Sequence, residues 1–258
     1  RYVFLTEFRP NDRMAVSVRS TISGMGSRAN PAFAVGAVVV PVALLVAAVT
    51  VGTVQHHTYV HVMAGVLWTG TDLFLALVLG PVLGGLAVEE RASVFRRLTP
   101  KTAFLLPSLA LVTIAGGITL ALRMGLFPHA QPWLAILTAA TLVPALALIG
   151  RQFDAFRDWR WLAAFGIALV ASAAYLALTL PEFAMTRPVV IATLVIVTVL
   201  SVLGFGVLMP GEVRMYLEMQ SAEPDADLIS RIGMRNAKLS AVQGLFQLLI
   251  VVAMVYMV

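Results

Sequence analysis

The chain has 258 residues, 60% of them hydrophobic and only 12% charged, with a net charge of +5 and no cysteine. A soluble domain carries about 25% charged residues, so a soluble globular class is excluded, and the absence of thiols excludes disulfides, thiolate metal sites and cysteine nucleophiles. The positive balance does not imply nucleic acid as a partner. The basic residues lie at the ends of apolar runs, where they meet anionic lipid headgroups, and no basic domain exists.

Residues 1–13 precede the first methionine, Met14, and read as a gene-model extension or as part of a longer chain. Residues 1–30 as a whole read as a cytoplasmic segment. It lacks the apolar core of a cleavable signal, so the first apolar run is expected to act as an uncleaved anchor. Seven apolar runs follow, at 31–54, 57–87, 102–124, 132–150, 161–180, 188–209 and 237–258. About 20 apolar residues cross a bilayer as helix. The runs lack the period-two alternation of barrel strands, so helices are expected. The predicted fold is all-α, a single seven-helix transmembrane bundle over 31–258.

In chain order, the first run is Ala/Val-rich and interrupted by Pro41. The second is the longest, with a kink expected at Gly80-Pro81, where proline removes a backbone donor and crowds the preceding turn. The gap VEERASVFRRLTPK then reads as a short amphipathic helix on the cytoplasmic surface, and Thr99-Pro100 reads as the start of the third span. Gly116-Gly117 in that span permit close helix approach. LFPHAQPW and PEFAMTRP are outer turns, and RQFDAFRDWR is an inner connector with Trp159 and Trp161 as interfacial anchors. The largest gap, 211–236, is expected to extend the sixth span, turn, and return as a helix capped by Asp225 or Asp227.

Basic residues fix the expected orientation. With Arg123 and Lys238, at the ends of their runs, counted with the adjoining third and sixth gaps, the amino-terminal segment and the second, fourth and sixth gaps hold 5, 4, 3 and 4 of them, whereas the odd gaps and the carboxyl end hold 0, 1, 1 and 0. The positive-inside rule then puts the amino terminus in the cytoplasm and the carboxyl terminus outside, for a multi-pass protein of the cell membrane. A repeat is also visible. LGPVLGGLAVEERASVFRRLTPK and LMPGEVRMYLEMQSAEPDADLISRIGMRNAK share a plan: a proline near the inner end of a span, a charged stretch, then a basic lead into the next span. The two units lie four spans apart, so they share an orientation, as parallel repeats do in transporters and in plain duplicated bundles.

All four histidines, His56, His57, His61 and His129, fall on the expected outer side. At about 100° per residue, His57, Gly65, Trp68 and Asp72 share one stripe about 80° wide with His61. A neutral imidazole can ligate iron, copper or zinc, a glycine one turn away leaves room for a flat macrocycle or another helix, and Trp68 can pack a ring edge and donate one hydrogen bond. The competing view is that the histidines face interfacial water and the small residues simply pack. Asp72 reads as the one carboxylate inside a span, the other twelve acids being assigned to termini and loops. An intramembrane acid is a functional candidate, here for a proton relay or a quinone site, with a structural hydrogen bond to Gln243, Gln247, Lys101 or Lys238 as the alternative. Met254 and Met257, with His57, His61 and His129, make a candidate Cu(I) set, although methionine also serves as packing material.

The run His-Val-Met-Ala-Gly-Val-Leu-Trp-Thr-Gly, His61 to Gly70, resembles helix openings in the copper-resistance D-like membrane proteins and the J-type protoporphyrinogen oxidases. VFRRLTPK and the span after it resemble that group's second motif, so the likeness covers residues 57–125. It implies haem b, or copper as the alternative, near the outer face, with His61 as ligand and His57, His129, Met254 or Met257 as a second ligand. The chain departs from the pattern where Thr71-Asp72 replaces a second glycine. Three functions are therefore expected as alternatives: a haem-binding electron-transfer protein exchanging with quinone or a redox partner subunit; a transporter of copper or a small solute; or a non-catalytic membrane subunit anchoring a larger complex.

Overall fold

The computed structural model describes residues 18–257; Met14 and the extension 1–13 lie outside them. Every described element is helical, and seven helices are long and apolar enough to cross a membrane. They are span 1 (Pro31–Thr50), span 2 (Val54–Gly84), span 3 (Val88–Arg123), span 4 (Ala130–Gln152), span 5 (Trp159–Glu182), span 6 (Pro188–Glu218) and span 7 (Ala226–Val255). A leading helix, Val18–Ala29, precedes span 1 and packs on spans 1 and 3. Between them Asn30 takes a positive φ of 79° and accepts a hydrogen bond from the Ala32 N–H at 3.0 Å, capping span 1.

Span lengths divide the bundle in two. Spans 2, 3, 6 and 7 have 31, 36, 31 and 30 residues, against 20, 23 and 24 for spans 1, 4 and 5. At ~1.5 Å per residue the long helices reach about 45 Å or more, well beyond a ~30 Å hydrocarbon core. Their surplus length lies at one end, the end where most basic residues gather. There Leu83, Ala92, Phe95, Met215, Met219, Ile229 and Ile232 form a buried apolar cluster drawn from all four.

That cluster corrects two expectations. VEERASVFRRLTPK is not a separate surface helix, and Thr99-Pro100 does not start span 3. Span 3 begins at Val88 and carries Pro100 in its interior. The Glu90 carboxylate accepts from the Ala87 N–H at 3.1 Å and seals this start. Ala92 and Phe95 need apolar partners, and they find them on spans 6 and 7 rather than in lipid. The returning helix behaves as expected at its start: the Asp225 carboxylate caps it, accepting from the Leu228 N–H at 3.0 Å, and it then runs unbroken into span 7.

The two repeat units share an unusual backbone. Leu75–Leu79 in span 2 and Gly204–Leu208 in span 6 are each wound as one turn of π-helix, with the Gly80 N–H bonded to the Leu75 carbonyl and the Met209 N–H to the Gly204 carbonyl. Each turn stands just before the pair ending in Pro81 or Pro210. Those prolines lie 129 residues apart, and so do the two π turns. Proline cannot donate to the preceding turn and its ring crowds the carbonyl there, so a widened turn relieves both faults. The expected break at Gly80-Pro81 thus takes the form of a π turn.

The two basic residues at the opposite end have a structural use. Arg123 donates to the carbonyls of Ala48 at 3.2 Å and Gly52 at 2.8 Å, and Arg187 donates to the Met257 carbonyl at 2.7 Å. Arg123 therefore satisfies two carbonyls at the carboxyl end of span 1, one in its last turn and one just beyond it, and Arg187 satisfies one just beyond span 7. Trp159 is exposed, as an interfacial anchor would be, whereas Trp161 turns inward against Gly150.

Candidate functional site

The predicted stripe of span 2 is its buried face: His57, His61, Ala64, Trp68 and Asp72 are its buried residues. The stripe serves two different surroundings along its length.

At the histidine end it meets span 3. His61 Nδ1 lies 2.9 Å from the Thr113 carbonyl, and since a carbonyl only accepts, Nδ1 carries the proton. Thr119 Oγ1 donates to the Ala115 carbonyl at 2.7 Å, so at 3.1 Å it accepts from His57 Nε2. The two imidazoles thus hold opposite tautomers, and His57 Nδ1 is buried without a partner. The space left by glycine here is already filled. A Cβ on Gly117 would stand 2.8 Å from His61 Cε1, and one on Gly65 would stand 3.3 Å from Thr113 Cγ2. Gly117 accommodates the imidazole and Gly65 accommodates the neighbouring helix, so neither leaves a cradle for a macrocycle. His56 is exposed and belongs to the turn, where it forms a reciprocal cap with Thr53 at 3.3 Å. His129 is exposed at the start of span 4, and Met257 packs in the cluster around Phe127 and Val190. Among the described residues no three His, Cys, Asp or Glu side chains are grouped to hold a metal ion. The glycine spaces beside His61 are thus filled by protein, with no open room for a macrocycle.

Further along, the stripe opens. Trp68 and Asp72 line a cavity bounded by spans 2, 3, 6 and 7 alone, with about 70 Å³ open to the centres of water-sized molecules. A single water needs roughly 10–15 Å³ by that measure, so the space holds several waters or a small solute. Both π turns contribute to the wall, through Leu75 and Leu79 on one side and Gly204, Phe205 and Leu208 on the other. Most of the wall is apolar, and its polar groups concentrate around two carboxylates.

The first is Asp72. It is fully buried, and its Oδ2 accepts from Gln247 Nε2 at 2.9 Å, one of the partners expected for it. Ser240 of span 7 also stands beside the carboxylate, while Oδ1 makes no hydrogen bond of good geometry, nor do the buried Gln243 Oε1 and Gln247 Oε1. The second is Glu212, which the sequence reading placed outside the spans and which in fact lies within span 6. Its Oε1 accepts from Asn236 Nδ2 at 3.3 Å, and Thr102 Oγ1 lies 3.2 Å from its Oε2. Asp72 is therefore not the only carboxylate on a spanning helix that faces this cavity. Glu212 was missed because the extension of span 6 past Met209, though expected as helix, was assigned to a polar gap. The apolar face Met215, Tyr216 and Met219, all buried, was the available sign that this extension packs within the bundle.

Comparison with protein families, curated proteins and solved structures gave no match to this chain.

Proposed function

We propose that this chain is a carrier of the cell membrane, its amino terminus cytoplasmic and its carboxyl terminus outside, that moves a small solute through the cavity in exchange for protons held on Asp72 and Glu212. One observation carries this reading. Two carboxylates from the two related helices, span 2 and span 6, face one cavity, and each helix is interrupted there by a π turn ahead of proline. A carboxylate in a membrane interior is costly and marks ion and proton pathways. Interrupted helices from repeated halves are the usual walls of a solute site in secondary transporters, and π turns recur at functional positions.

The test uses the purified full chain in liposomes with an acidic interior reported by a trapped pH-sensitive dye. Amines, alkali and divalent cations, copper ions, organic anions and neutral sugars are added outside in turn. Collapse of the gradient by one class, lost in Asp72→Asn and in Glu212→Gln that still insert and fold, supports the carrier. No collapse with any class refutes it, and a partner protein co-purifying in that case favours an anchoring subunit.

A second reading keeps electron transfer at His61. Nδ1–H bonded to a backbone carbonyl leaves Nε2 as the nitrogen with a lone pair, which is how ligand histidines are oriented. A haem band or stoichiometric copper in protein grown with both supplied, lost in His61→Ala, would establish it against the packing described above.

A further inference from the structure

Resting on the carrier reading, we infer that the solute is a protonated amine with an apolar body, and that its ammonium group takes the place of a proton at Asp72. The argument comes from which atoms lack partners. Asp72 Oδ1, Gln243 Oε1 and Gln247 Oε1 are buried with no hydrogen bond. The side chains are 0%, 3% and 2% exposed, and Asp72 and Gln243 line the cavity. Gln247 is held to the same carboxylate, and while Asp72 is ionised its amide must turn Nε2 toward it, because a reversed amide would put oxygen against oxygen.

Once Asp72 has lost its proton, its Oδ1 and the Gln247 Oε1 are both acceptors, and Gln243, whose side chain makes no hydrogen bond of its own, can present its amide oxygen as a third. A buried acceptor without a donor is costly, so the complement of this group is a ligand that brings several N–H donors and no acceptor of its own. An ammonium does this with three N–H bonds and one positive charge. An anion would meet a carboxylate and two amide oxygens, and a sugar would bring as many acceptors as donors. Beyond Ser240, which stands beside the carboxylate, the cavity wall includes Trp68, Leu75, Leu106 and Phe205, which suit an apolar ring rather than a second polar group. Charge balances one for one: the amine enters carrying one positive charge and the proton on Asp72 leaves with one.

The feature that separates this from general cation binding is the N–H requirement. The test therefore pairs benzylammonium with benzyltrimethylammonium, which has the same ring and charge and no N–H, and with benzyl alcohol and benzoate. Binding to the purified full chain is measured by ligand-dependent thermal stabilisation, and exchange by the liposome assay. Benzylammonium should bind saturably, with benzyltrimethylammonium weaker by about ten- to a hundredfold, the worth of hydrogen bonds to a charged group. Gln243→Leu, which leaves the Asp72–Gln247 bond in place, should weaken benzylammonium about tenfold or more while leaving benzyltrimethylammonium unchanged. It also keeps the test independent of whether Asp72→Asn folds. Equal binding of the two cations, tighter binding of benzoate or the alcohol, or no binding of benzylammonium overturns the inference. If another solute class still collapses the pH gradient the carrier stands without it, and if none does both fall.

Discussion

Gly117→Ala tests whether the histidine stripe is packed or poised to hold a group. The added Cβ would lie 2.8 Å from His61 Cε1, 3.4 Å from Nδ1 and 3.5 Å from Nε2. Ordinary contact begins near 3.4 Å, so the ring must move. It cannot move far, because His61 is only 6% exposed and packed against span 3. The remaining route swings Nδ1 away from the Thr113 carbonyl. Overpacking costs about 1–3 kcal/mol and the lost hydrogen bond about 1 kcal/mol, so the variant should lose roughly 2–4 kcal/mol. In a His61→Ala background the same change has nothing to strike and should cost close to nothing, which makes the coupling about 2 kcal/mol or more, within the range for residues in contact. Gly65→Ala is the control: it meets only a threonine methyl at 3.3 Å and should cost about 0.5 kcal/mol or less. Unfolding in mixed micelles by graded addition of denaturing detergent measures all four proteins. Additive losses in the double variant, or a Gly117→Ala as mild as Gly65→Ala, would show that the imidazole does not occupy the glycine space.

Two shorter predictions concern orientation and the guanidinium caps. A reporter fused after Val258 should be active outside the cytoplasm and one inserted within 221–227 should be active inside it; the same side for both would break the proposed topology. Arg123→Ala and Arg187→Ala each strand backbone carbonyls at the end of a span. Each should lower stability by about 1–2 kcal/mol with the same micelle assay, and Arg→Lys should restore only part of it because a point charge cannot reach the two carbonyls that Arg123 serves.

Much of this architecture could be read from the chain because its signals are local. Hydrophobic runs and basic gaps report spans directly, and the 3.6-residue period put His57, His61, Trp68 and Asp72 on one face, which is the face the bundle buries. What could not be read was what that face meets. Gly65 beside His61 fits a macrocycle or a neighbouring helix equally well on a helical wheel, and only Thr113, 48 residues further along the chain, decides for the helix. The charged stretches 88–101 and 226–236 were ambiguous for the same reason. An amphipathic pattern demands a partner for Phe95 and Ile229 without saying whether lipid headgroups or each other will supply it. Glu212 was hidden by that ambiguity, since a carboxylate on a helix extension past the apolar run looks solvated until the extension is seen to pack against spans 3 and 7.

The duplicated frame gives the two carboxylates their meaning. Shifted back by the 129 residues that separate the prolines, Glu212 falls on Leu83, eleven residues beyond Asp72. Along a helix that is about 16 Å, or roughly half the hydrocarbon thickness. Asp72 itself falls opposite Ser201, His61 opposite Val190 and Trp68 opposite Val197, so the halves share a backbone without sharing chemistry. Spans 2 and 6 each supply one acid to a cavity that both π turns line. The two acids stand at different positions relative to their π turns, each with its own amide partner, Gln247 or Asn236, and in the proposed carrier that offset would let a proton be taken up at one and released at the other. The histidines have no such counterpart in span 6, which ties them to the packing of spans 2 and 3 and leaves the shared cavity as the place where the two halves must act together.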